Sequence, residues 1–135
     1  MTTYPNTTVS HRLNLWHLTA AALMALTTLI HVFVGGPEVM DPIRASTLDP
    51  LVIGVASVVW HAITLLLALF AVALLWLARN SNKPLVALLL AMQLGFGLIF
   101  LGYGIADLGT IWPMPQWIIF FAIPALMLVG QRGRK

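Results

Sequence analysis

Residues 51 to 78 read "LVIGVASVVWHAITLLLALFAVALLWLA". These twenty-eight positions contain no Asp, Glu, Lys or Arg, whereas about 20 apolar residues at helical rise already cross ~30 Å of hydrocarbon. A helix that is apolar all round over this length is buried in protein or in lipid. With 60% hydrophobic and only 8% charged residues in the sequence, lipid is the fitting surround. The stretch is therefore read as a transmembrane helix, and it sets the frame for what lies on either side.

Outward from it, three more apolar segments can be marked, at about 13–34, 84–108 and 111–130. In the last, the apolar part 116–130 is short for a span and needs Ile111 to Pro115 at the interface. The expected fold class is all-α: a four-helix transmembrane bundle, up-down-up-down, with residues 1–135 as a single integral membrane domain. Composition agrees, since 60% of residues are hydrophobic and 8% charged, against about 25% charged in ordinary soluble domains. Cysteine is absent, which excludes disulfides, thiolate metal sites and cysteine nucleophiles. The first apolar run lacks the basic flank and small-residue cleavage site of a secretory signal, and is read as a retained anchor.

Charge reports orientation. Of seven basic residues, Arg12, Arg79, Lys83, Arg132, Arg134 and Lys135 fall at the termini or in the connection between the second and third segments; only Arg44 falls on the other side. By the positive-inside rule both termini are cytoplasmic, and the chain is expected in a bacterial inner membrane. Glu38, Asp41, Asp49 and Asp107 then lie outside. The basic residues are scattered, not grouped with aromatics, so the expected partner is the lipid bilayer and not a nucleic acid.

Gly35, Gly36 and Pro37 predict the end of the first helix, followed by an outer loop over 35–50 in which Thr47 or Asp49 caps the second helix. The turn "ARNSNKP" is short enough to make the second and third helices antiparallel neighbours. Gly95, Gly102 and Gly109 recur every seven residues and predict a close-packed face on the third helix, with Gly102 its buried member. The same face would serve a homo-oligomer or a larger membrane complex. Trp16 and Trp76 at one level, and Trp112 and Trp117 at the other, fit interfacial belts. Pro124 is expected to kink the fourth helix. Met24, Met92, Met114 and Met127 are scattered in depth and read as packing.

Ionisable groups inside a bilayer raise functional hypotheses by default. His17 and His31 are fourteen residues apart and share a face of the first helix within about 40°. On the second helix Ser57, His61 and Thr64 form a polar stripe, with His61 about 27 Å from Arg79 by helical rise. His31 and His61 are thus expected at similar depth in the outer half, with Asp107 at the outer end of the third helix and the acidic loop folding over them. Two imidazoles and a carboxylate suit Zn, Cu or Fe and leave coordination positions open. The metal set expected is His31, His61, Asp107 and Glu38, with Asp41 and Asp49 as loop contributors and Ser57, Thr64, Thr28 and Tyr103 behind the ligands. The competing reading makes the histidines interhelical glue, worth about 1 kcal/mol each. His17, beside Trp16, is assigned an interfacial role, and His11 is expected to be exposed.

Four helices, one with histidines fourteen residues apart, resemble the pattern of membrane b-type cytochromes, in which such pairs place haems at two levels. A partner helix there offers two histidines, but here it offers only His61. The resemblance therefore implies at most one bis-histidine haem b, between His31 and His61. No HExxH or GxSxG pattern occurs, and "GFGLIFLGYG" does not follow a strand as a dinucleotide-binding fingerprint would. An accessory membrane subunit and a small proton or ion transport unit remain as alternative functions. Transport is the less favoured, because the second segment is wholly apolar from Leu65 to Ala78.

Overall fold

The computed structural model describes residues 13–132; the expectations for His11, Arg12, Arg134 and Lys135 lie outside that range. The described residues are helical throughout, apart from short connections, and contain no strand. Helix α1 covers Leu15–Ile30, a π-helix His31–Met40, α2 Asp41–Arg44, α3 Pro50–Arg79, α4 Lys83–Leu108 and α5 Trp117–Arg132. Leu15–Arg44, α3 and α4 are each long and apolar enough to cross a membrane, while α5 is a shorter apolar helix.

The predicted stop at Gly35–Pro37 does not occur. The chain stays helical through both glycines and Pro37 as far as Arg44, and the expected loop over 35–50 shrinks to residues 45–49. Proline inside an α-helix removes an N–H and crowds the carbonyl four residues earlier, here that of Phe33. A π turn, bonding five residues back as Asp41 N–H does to Gly36 O, relaxes that crowding.

Ends and caps follow local chemistry. Asp49 caps α3, its side chain accepting from Leu51 N–H at 2.8 Å, as expected of the "TLDP" stretch. Asn82 caps α4 by accepting from Leu85 N–H. Gly109 ends α4 with φ 66°, a left-handed conformation that only glycine adopts at no steric cost. Gly109 is therefore a helix terminator and not a member of a packing face. The fourth helix starts at Trp117, so 111–116 forms a turn region, closed by Trp117 Nε1–H donating to Ile111 O at 3.3 Å.

In the bundle α1 packs on α3 and α5, and α5 on α4. α3 and α4, expected to be antiparallel neighbours, touch through side chains such as Phe70 and Phe96, edge-on with ring centroids 6.4 Å apart, and their backbones approach far less often than those of α1 and α3. Ala20 and Ala21 are buried on α1, the helix that packs on both α3 and α5. Met24, Leu74, Leu77, Ile123 and Met127 are fully buried at the centre. Met24 and Met127 are thus packing residues, as read.

Candidate functional site

The polar residues that the bilayer argument singled out can be followed one at a time. His31 opens the π-helix and stacks on Trp60, ring centroids 3.9 Å apart and planes at 17°. Its Nε2–H points to Trp60 O at 3.5 Å, a long contact. One turn further on, Gly35 leaves room for the same indole, since a Cβ there would lie 3.0 Å from Trp60 Cη2. His31, Gly35 and Trp60 are thus one joint, locking the π-helix to α3. Trp60 had no role in the sequence reading, because an aromatic in an apolar run carries no signal of its contacts.

His61 follows Trp60 in sequence but leaves the joint. A step of about 100° around the helix turns it away from α1, and it is exposed on the surface of α3. Its Nδ1–H donates to Ser57 O at 2.7 Å, within its own helix. The hydroxyls expected behind a metal site also bond to their own helices: Thr28 to Met24 O, Ser57 to Ile53 O and Thr64 to Trp60 O, all at 2.9 Å.

The acids are similarly dispersed. Glu38 is exposed on the π-helix, and Asp41 faces Arg44 at 3.8 Å, an exposed pair of the kind worth about 0–1 kcal/mol. Asp49 caps α3. Asp107 is exposed near the end of α4, where it shares a surface groove with Ile99, Gly102, Tyr103 and Ala106. Among the described residues no three His, Asp or Glu side chains come together as a group able to hold a metal ion. Two features keep them apart: His61 turns away from His31 on the surface of α3, and with 35–44 helical no acidic loop is left to fold over His31.

The densest polar cluster lies at the opposite end. Asn14 donates its backbone N–H to Ala78 O at 2.8 Å and its side-chain amide to Gly130 O at 2.7 Å, and its Oδ1 accepts from His17 N–H at 3.2 Å. One residue thereby caps α1 and ties it to α3 through its backbone and to α5 through its side chain. His17 is completely buried within the bundle, and its Nε2 accepts from Gln131 Nε2 at 3.3 Å. Gly130 is required there, since a Cβ would come within 2.6 Å of His17 Nδ1. Deeper in the core Gln93 is also fully buried; its Nε2 reaches Met127 Sδ at 3.6 Å and its Oε1 has no partner among the described residues. Asn14 was findable as an N-cap type before an apolar run. Gly130 and Gln131 were not, because their partner is over a hundred residues away.

The glycines of α4 divide in a way opposite to the expectation. A Cβ on Gly97 would lie 2.9 Å from Phe121, and one on Gly104 3.1 Å from Thr110 O, whereas Gly95 and Gly102 face open space. Gly97 and Gly104 are the packing positions, and the 95/102 face is free within this chain. Together these features define a small α-helical membrane protein stitched by buried polar residues at one end. Comparison with family models, curated proteins and solved structures finds no match, so function is argued from the chain's own residues.

Proposed function

We propose that this protein is an accessory subunit of a larger membrane assembly, docking a transmembrane helix of another subunit on the Gly95/Gly102 face of α4. The observation that carries this is the open space at those two glycines. Glycine weakens a helix by roughly 0.5–1 kcal/mol relative to alanine, and neither residue gains a close contact inside the chain in return. In lipid, small residues let two helix backbones approach and gain dispersion contact. The expected orientation is both termini in the cytoplasm, on the positive-inside argument. Gly95→Leu and Gly102→Leu should leave thermal stability in detergent within about 0.5 kcal/mol of the parent. Both should abolish a higher-mass species seen on native electrophoresis of gently solubilised membranes. An unchanged species would remove this reading.

A second reading, metal binding within one chain, keeps one favourable observation. His61 anchors Nδ1–H on a backbone carbonyl, the arrangement that orients ligating histidines. Under it His31, His61, Asp107 and Glu38 would bind Zn, Cu or Fe, or the two histidines a haem b, after movement of the helices that bear them. Elemental analysis and a visible absorption spectrum of protein purified without chelators test it. An ion-free protein without a Soret band excludes it.

A further inference from the structure

A groove of about 420 Å³ lies between α1 and α3, lined mainly by Leu18, Ala22 and Ala25 on one side and Ala71, Val72 and Leu75 on the other. None of these side chains can hydrogen-bond, so the groove takes an apolar occupant. From Leu18 to Ala25 it extends about 10 Å at helical rise, which leaves a cross-section of roughly 40 Å². A helix about 10 Å across has a section of roughly 80 Å² and is too thick to seat there. An acyl chain is slender enough.

One end of the groove carries a charge. Arg79 is seven residues past Val72 and four past Leu75, which puts it within about 20° of Val72 on the same face and about 10 Å nearer the end of α3. It is exposed, and Trp76 on that face is exposed beside it. None of the four acids lies at this end: Glu38, Asp41 and Asp49 precede α3, and Asp107 is at the far end of the helix that starts just after Arg79. The one ion pair among the described residues, Arg44 with Asp41, is also at the far end. A long cationic side chain above an apolar cleft, with a tryptophan at the same level, takes its anion from the membrane surface.

We propose that an anionic phospholipid occupies this groove, an acyl chain lying against the alanines and its phosphate paired with Arg79. Basic clefts between transmembrane helices select acidic head groups, and a guanidinium meets phosphate with two parallel N–H donors. A cation in the last turn of a helix is also favoured by the helix dipole, but that role does not require the cleft one turn below it. The site belongs to α1 and α3 and stands apart from the Gly95/Gly102 face of α4.

The test titrates the full chain, purified in mild detergent, with phosphatidylglycerol and, separately, with phosphatidylcholine of the same acyl chains. Bound lipid per chain and the rise in melting temperature are read for each. One tightly held lipid per chain is expected, with phosphatidylglycerol favoured about fivefold, the worth of one basic residue near an anionic surface. Arg79→Gln should bring the two lipids within about twofold of each other. Lys83→Gln removes the same charge from α4, which does not line the groove, and should leave the preference intact. Ala22→Leu with Ala25→Leu, both at exposed positions, should keep the lipid-free melting temperature and weaken both lipids about tenfold by filling the cleft. Glycerol phosphate, a head group without chains, should not raise the melting temperature. Equal binding of the two lipids by the parent, a preference that survives Arg79→Gln, or equal losses in Arg79→Gln and Lys83→Gln overturns the proposal. Unchanged lipid binding in the filled cleft, or stabilisation by glycerol phosphate alone, overturns it as well and leaves Arg79 a helix-end cation only.

Discussion

Asn14, His17, Gly130 and Gln131 show how a few polar atoms order three helices. Packing against His17 removes these groups from solvent, so the bonds between them satisfy donors and acceptors that would otherwise be left unpaired, and that cost makes their geometry specific. Because a Cβ on Gly130 would fall 2.6 Å from His17 and 3.0 Å from Asn14 Oδ1, Gly130→Ala forces one of them aside. The expected loss is about 1–3 kcal/mol, read as a lower melting temperature in detergent; an unchanged value would show that the cluster yields freely. Gln93 poses the reverse case. A buried acceptor without a donor costs about 1–3 kcal/mol, and Gln93→Met keeps the length of the side chain while removing it. This substitution should raise stability by on the order of 1 kcal/mol. A clear fall would mean that Oε1 is held by something methionine cannot replace.

At the scale of elements, the two glycine pairs of α4 do different work. Gly97 admits Phe121 and Gly104 admits the chain that folds back after Gly109. Gly97→Ala should therefore destabilise the monomer by about 1–3 kcal/mol as Phe121 is displaced, whereas Gly95→Ala should be neutral to slightly stabilising. Thermal melts of the two variants decide it, and equal effects would contradict the packing of α5 on α4. The π-helix is the other element whose form depends on its surroundings. Pro37 alone argues for an end; His31 and Gly35 clasping Trp60 hold the segment on α3 and carry the helix past it.

For the whole molecule the charge distribution predicts orientation. Ser46, in the connection before α3, and Ser81, in the turn before α4, are both exposed. Cysteine placed singly at each position of this cysteine-free chain should react differently with an impermeant thiol reagent. Ser46→Cys should label in intact cells and Ser81→Cys only after lysis, if the basic residues lie inside. Equal labelling before lysis would reverse or abolish the assigned orientation. The measurement also fixes which side of the membrane His61 approaches, since it is nearer to Pro50 than to Arg79.

What the sequence determined by itself is whatever depends on transfer from water to lipid. The length of the α3 span, the helical class, the cap at Asp49 and the turn before α4 all follow from hydropathy and local backbone chemistry, which act between residues close in the chain. Direction within the membrane was decided by the tertiary structure instead. Whether His61 turns inward or outward, whether Gly97 or Gly102 is the tight position, and whether His17 faces outward or into the core depend on how helices rotate against each other. In lipid that rotation is set by small differences in packing and by single hydrogen bonds, because both faces of such a helix are apolar and hydropathy cannot tell them apart.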